Sequence, residues 1–188
     1  MLYFVYSNDK VYRVDFRTIK FVAIAGILYG VFYGIYTYVV QDDYLRKTIY
    51  PTIIGHPSAA VINTITPDRN ATVHENKISS RKAVLNIVRG CDGSGVWFML
   101  MAAVLGFGAR FKDTIVGLLL GTLVVYFINQ VRIIGLFYLV EWKRHLFPVV
   151  HTYYAPTLII LLIAGFFLWW TQWSMRHMAE QPVDKTGE

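Results

Sequence analysis

Four apolar runs, separated by stretches rich in charge and proline, organise the chain. The first, Phe21 to Val40, carries no charge and follows a segment that mixes aromatic residues with Lys10, Arg13, Arg17 and Lys20. A helix needs about 20 apolar residues to cross a bilayer, so this run predicts a spanning helix over about 19–40. The run is too long for an ordinary secretory h-region and no Ala-x-Ala site follows it, so it reads as a retained first helix. Gly26, Gly30 and Gly34 repeat at four-residue spacing within it, a smooth stripe along which another helix can approach closely.

The stretch 41–94 holds Pro51, Pro57, Pro67 and several charges. It is too polar to cross lipid and too long to be a tight turn, which predicts an extramembrane segment. Its last part, Ala83 to Arg89, fits either an amphipathic helix or a short strand, because a short apolar run satisfies both periods. Asn70-Ala71-Thr72 matches a glycosylation sequon, a pattern short enough to arise by chance.

The second apolar run predicts a helix over about 95–109, and Arg110-Phe111-Lys112-Asp113 makes a charged turn after it. The third run starts at Thr114 and contains Gly117 and Gly121; with its apolar continuation it predicts a helix over about 114–138, before Glu141-Trp142-Lys143-Arg144-His145 marks water. The fourth helix is expected over about 149–173, with Trp169, Trp170 and Trp173 as an interfacial aromatic belt and a polar, frayed tail from Met175. The expected fold class is therefore an all-α membrane protein: one domain, a bundle of about four transmembrane helices with an extracytoplasmic segment over 41–94.

Composition agrees with this pattern. The 188 residues are 55% hydrophobic with a mean hydropathy of +0.43, and their number suits a single domain. The formal net charge of +6 comes from short basic clusters beside apolar runs, and no continuous stripe tracks a nucleic-acid backbone. Nucleic acid is thus excluded as a partner. The single cysteine, Cys91, rules out an intrachain disulfide and a cysteine-based zinc cluster, and neither metal nor cofactor is expected. Basic residues are densest in Met1 to Lys20, Arg110 to Asp113 and the C-terminal tail, which favours cytoplasmic termini, although raw Lys and Arg totals lean to the other side.

Following chain direction through four spans brings three groups to one depth. Cys91 precedes the second helix, Arg132 and Asn129 lie near the end of the third, and His151 opens the fourth. This convergence follows from the parity of the spans and holds whichever way the chain is oriented. Each residue alone has an ordinary explanation: a thiol packs as a small hydrophobe, an arginine snorkels from a helix end, a histidine sits wet at an interface. Together they form a chemical set. The thiolate is the nucleophile in thiol catalysis; a histidine can take the proton, and an arginine can favour the anion and bond an oxyanion. Arg89-Gly90-Cys91-Asp92-Gly93 keeps the thiol near water and, through Gly90 and Gly93, clears room for close backbone approach. Asn129, three residues before Arg132 on one helical face, can help hold the guanidinium.

At these residues the sequence resembles the exosortase and archaeosortase family of membrane-embedded cysteine transpeptidases. The matching elements are Cys91-Asp92-Gly93 at the head of one helix, Asn129-Gln130-Val131-Arg132-Ile133 at the end of the next, and His151 at the start of the last. The resemblance runs from about Ala83 to Leu168 and is carried by the order, spacing and topology of these motifs. It implies a catalytic triad of Cys91, Arg132 and His151, supported by Asn129, Gly90 and Gly93. It further implies exported protein substrates carrying a C-terminal motif, helix and basic tail, cleaved through a thioester outside a prokaryotic cytoplasmic (inner) membrane and passed to an envelope acceptor. The chain is shorter than the common exosortases and resembles compact variants of the exosortase H kind; Asp92 stands where a small residue is frequent.

A rhomboid-type serine protease would need more than Gly93-Ser94-Gly95, and a metalloprotease would need His-Glu-x-x-His, which does not occur. The rival from another class is a noncatalytic membrane assembly factor or small transporter subunit, in which Arg132 anchors a helix and Cys91 is incidental. His145 is the fallback histidine.

Overall fold

The computed structural model describes residues 4–7, 10–13 and 15–179. Two short strands, β1 (Phe4–Ser7) and β2 (Lys10–Arg13), pair antiparallel with Phe4 opposite Arg13. α1 (Phe16–Tyr38) begins behind Asp15, whose carboxylate accepts the Arg17 N–H at 3.3 Å, one of the orphan donors of a helix start.

Among the described residues, three helices are long and apolar enough to cross a membrane: α1, α5 (Phe111–Trp142) and the 36-residue stretch Arg144–Ala179. The last comprises a 3-10 turn (Arg144–Leu146), α6 (Phe147–Val149), a π-helical turn (Val150–Tyr154) and α7 (Ala155–Ala179). The second apolar run forms α4 (Ser94–Phe107), whose 14 residues rise about 21 Å, short of a hydrocarbon core of about 30 Å. Leu100, Met101, Ala102 and Val104 of α4 are buried against its neighbours, while Met99 and Leu105 are exposed.

α5 is longer than the 114–138 expected: Phe111, Lys112 and Asp113 of the charged turn already form its first turn behind Arg110, and it continues past 138 to Trp142. At 32 residues it rises about 48 Å and passes through two hydrophobic clusters. Its Val125 belongs to one, with Leu100, Met101, Val104, Ile159, Ile163 and Trp170. Its Ile133, Leu136 and Phe137 belong to the other, with Tyr50, Ile54, Ile62, Ile78, Leu85 and Ile87.

The second cluster is built by 41–94, which is folded throughout much of its length. α2 (Asp42–Tyr44), a π-helical stretch (Leu45–Gly55) and α3 (His56–Ile65) run on as one helical segment. Pro51 lies inside the π-helical stretch, and the His56 N–H reaches back to the Pro51 carbonyl. A three-stranded antiparallel meander follows: β3 (Thr72–His74), β4 (Lys77–Ser79) and β5 (Val84–Asn86). Of the two readings open for Ala83 to Arg89, the strand is the one formed. Asn76 clamps its end, exchanging hydrogen bonds with Ile87 at 2.7 and 2.8 Å.

Three further expectations change. Gly26, Gly30 and Gly34 meet no described neighbour within 4 Å of a built Cβ; the close approach to α1 is instead Gly106 against Ala25. Trp170 is fully buried, donating its indole N–H to the Asp113 carbonyl at 3.1 Å and packing over Gly117, so it is core and not interfacial belt. The tail is helical from Met175 to Ala179; the rest of it lies outside the described residues.

Candidate functional site

The loop between β5 and α4 is shaped by its glycines. Cys91 N–H bonds the Val88 carbonyl at 2.9 Å, closing a turn in which Gly90 occupies the third position with φ +85°. A left-handed residue there is what glycine supplies without steric cost. Gly93 is also left-handed, at φ +81°, and a Cβ on it would stand 3.0 Å from Asn129 Cγ. Here the missing side chain is what allows α5 to meet the loop.

Asp92 organises the same loop. Its Oδ1 accepts from the Ser94 hydroxyl at 2.9 Å, the Ser94 N–H at 3.3 Å and the Gly90 N–H at 3.2 Å, and its Oδ2 accepts from the Tyr36 hydroxyl. A carboxylate at the start of α4 also faces the positive end of that helix. Tyr36 hydrogen-bonds Tyr50 at 3.1 Å and lies 4.7 Å beneath the Arg89 guanidinium. Arg89 donates to the Tyr36 and Val40 carbonyls at the end of α1 and to Asp42 Oδ1 at 2.7 Å. The orphan carbonyls of a helix C-terminus thus tie α1 to the cysteine loop.

α5 carries three polar residues where its two clusters meet, and each holds a different element. Asn129 donates its amide to the Asp92 carbonyl at 3.1 Å. Gln130 donates to the Ile53 carbonyl at 3.1 Å and accepts from Ser58 at 2.6 Å, locking the 42–65 helical segment to α5. Arg132 Nη1 donates to the Cys91 carbonyl at 3.4 Å. Asn129 Oδ1 and Arg132 Nε are buried without a hydrogen-bond partner among the described residues.

His151 completes the group. Pro156 lacks the N–H that would bond the Thr152 carbonyl in a regular helix; the chain just before it takes a π-helical turn, with the Ala155 N–H on the Val150 carbonyl. His151 lies in that turn, its ring stacked on Phe147 at 5.1 Å with planes 8° apart. Its Nε2 stands 3.1 Å from Cys91 Sγ and its Nδ1 4.0 Å. With the proton on Nδ1, Nε2 turns a lone pair toward the thiol.

The structure therefore brings together Cys91, Arg132 and His151, with Asn129, Gly90 and Gly93 beside them. The fallback His145 is exposed in the 3-10 turn. Cys91 and His151 line a cavity of about 330 Å³ with Val84, Asn86, Leu136 and Arg144, and Arg132 and Asn129 line a second of about 270 Å³ behind Gly90 and Gly93. Cys91 is only 9% exposed. Burial pushes its thiol above the ordinary value; the Arg132 charge and hydrogen bond pull it back, and the Asp92 charge adds to the rise.

Tyr36, Arg89, Gln130, Phe147 and the carboxylate of Asp92 were not singled out as site residues from the sequence. Gln130 had a signal, since a polar residue inside an apolar helix costs free energy and needs a partner. Phe147 precedes His151 by four residues, the spacing of one helical face. For Tyr36 and Arg89 no local signal exists, because their partners are 56 and 53 positions away.

Comparison with protein-family models, with curated proteins and with solved structures found no match to this chain.

Proposed function

We propose that this protein is a membrane-embedded cysteine protease and transpeptidase of the exosortase and archaeosortase kind. It cleaves the C-terminal sorting signal of exported proteins through a Cys91 thioester and hands the new carboxyl end to an envelope acceptor. The observation that carries this reading is the 3.1 Å approach of His151 Nε2 to Cys91 Sγ, with the Arg132 guanidinium on the carbonyl of the same cysteine.

In this mechanism Sγ attacks the scissile carbonyl carbon while its proton passes to His151 Nε2. The carbonyl oxygen becomes an oxyanion, and Arg132 supplies the positive charge and a donor to it, its Nε–H being buried and unpaired among the described residues. Collapse breaks the C–N bond, and the imidazolium returns its proton to the leaving amine. The acceptor nucleophile then attacks the thioester, transfers the acyl group and regenerates the thiol. The raised thiol makes proton transfer to His151 concerted with attack the fitting route, in preference to a standing thiolate.

The same reading places α4 as a short fourth span beside the three long helices, the 41–94 unit outside a prokaryotic cytoplasmic membrane, and the cavity at that outer face. Its test is coexpression with a substrate bearing a motif, helix and basic tail. Cys91→Ala, Arg132→Ala and His151→Ala are expected to leave the tail uncleaved, with the oxyanion donor alone worth on the order of a hundredfold in rate. Normal processing by a well-expressed Cys91→Ala variant overturns the mechanism.

The burial of Cys91 favours a second reading, a noncatalytic membrane assembly factor or transporter subunit in which the thiol is packing. Rapid thiol labelling from outside supports the enzyme; slow labelling with full function in Cys91→Ala supports the scaffold.

A further inference from the structure

The meander has order β3-β4-β5, so among the described residues β5 is an edge strand. Which of its backbone groups face the free edge follows from its pairing with β4. Ile78 opposes Leu85, and the flanking bonds are Ser80 N–H to Ala83 carbonyl at 2.8 Å and Ile87 N–H to Asn76 carbonyl at 2.7 Å. Hydrogen-bonded pairs alternate along an antiparallel ladder. Positions 83, 85 and 87 therefore bond toward β4, whereas Val84 and Asn86 direct their N–H and C=O groups away from it, and the Val88 N–H continues this row. Val84, Asn86 and Val88 all line the 330 Å³ cavity that contains Cys91 and His151.

The geometry points to β5 as the docking strand for an extended polypeptide substrate, which pairs with the free edge at Val84, Asn86 and Val88 and so carries its scissile carbonyl to Cys91. The inference rests on the thiol reading above and adds how the substrate is held. The occupant is a peptide in extended conformation, because a row of outward main-chain donors and acceptors at strand spacing is matched by another strand. The row is continuous with the nucleophile: Val88, its last member, accepts the Cys91 N–H that closes the turn. Three residues of strand extend about 10 Å, enough to register a short segment. Side chains of the incoming strand alternate between faces. On the Leu85 side they meet Ile133, Leu136, Val140 and Phe147, so every second substrate residue next to the cleaved bond is apolar. Burial of Leu85 between exposed Val84 and Asn86 fixes which side that is.

The test uses the full-length protein in detergent and two alkylating probes of Cys91, the acetyl-Ala-Ala-Ala chloromethyl ketone and iodoacetamide. Amide hydrogen exchange is read at residues 84–88 after each reaction. Docking on β5 predicts at least tenfold slower exchange at Val84, Asn86 and Val88 in the tripeptide adduct and no slowing in the iodoacetamide adduct. Equal exchange in both adducts overturns the inference and leaves the nucleophile assignment standing. Labelling by iodoacetamide without labelling by the tripeptide likewise overturns it, and labelling by neither removes the nucleophile as well. A second measurement uses Asn86→Pro, which deletes one outward N–H without touching the bonds to β4, a place where an edge strand tolerates proline. The ratio of tripeptide to iodoacetamide rates is expected to fall about fivefold or more, the loss of one hydrogen bond. An unchanged ratio in a variant that retains its fold counts against the pairing.

Discussion

Gly90 and Gly93 flank the thiol with nearly the same left-handed backbone, at φ +85° and +81°, yet their surroundings differ. A Cβ on Gly90 meets no described atom within 4 Å, whereas one on Gly93 meets Asn129 Cγ at 3.0 Å, Oδ1 at 3.2 Å and Cβ at 3.3 Å. Gly90→Ala should therefore lose only the cost of a left-handed alanine, about 1–2 kcal/mol. Gly93→Ala should lose that and more: overpacking against α5 costs about 1–3 kcal/mol. Displacing Asn129 from the Asp92 carbonyl adds about 1 kcal/mol. The two variants are expected to differ by about 2–4 kcal/mol, a factor of roughly 30 or more in the folded to unfolded ratio. Chemical denaturation in detergent, followed by tryptophan fluorescence, measures the gap. Combining Gly93→Ala with Asn129→Ala opens room for the new methyl, so the pair should be less destabilising than the sum of the singles by about 1 kcal/mol. Equal losses in the two glycine variants, or strict additivity in the double variant, would refute the contact as the reason for glycine at position 93.

Three further outcomes follow from other contacts. Because burial disfavours the anion, alkylation of Cys91 should rise with pH to a midpoint above the ordinary thiol value of about 8.5, and Arg132→Gln should move it higher still; stopped-flow alkylation between pH 6 and about 10.5 reads both, and a midpoint below the ordinary value contradicts the argument. Gln130→Leu strips the Ile53 carbonyl and the Ser58 hydroxyl of their partner and should cost about 2–4 kcal/mol by denaturation, with Ser58→Ala costing less; a loss within 0.5 kcal/mol, about the level of an ordinary surface change, would show that the lock is not structural. Gly117→Val sets its Cβ 2.5 Å from Trp170 and should cost about 3 kcal/mol or more with altered tryptophan emission, whereas Gly135→Ala, with open space around it among the described residues, should be near neutral; similar losses in both would remove the packing argument.

The apolar runs were sufficient to locate the long helices, because a run of about 20 uncharged residues has few other solutions. On the expectation of four spans, parity predicts that Cys91, Arg132 and His151 share one end; in the structure it is direct contacts that bring the three together. Helix ends were less legible: α5 passes through Ile133 to Val140 into the unit formed by 41–94, and only that unit gives the extra turns something to bury. α4 differs in this respect: expected over about 95–109, it forms over Ser94–Phe107.

Local pattern therefore determined which segments are apolar helices and the order in which the thiol, guanidinium and imidazole occur along the chain. Tertiary structure decided the 3.1 Å approach of His151 to Cys91, the burial of Trp170, the Tyr36 and Arg89 ties to the cysteine loop, and the free edge of β5 in the cavity. The reason is the range of the forces involved. Hydrophobic periodicity is written in neighbouring residues, whereas a hydrogen bond between residues more than 50 positions apart exists only after two elements have packed, and its distance depends on every side chain between them.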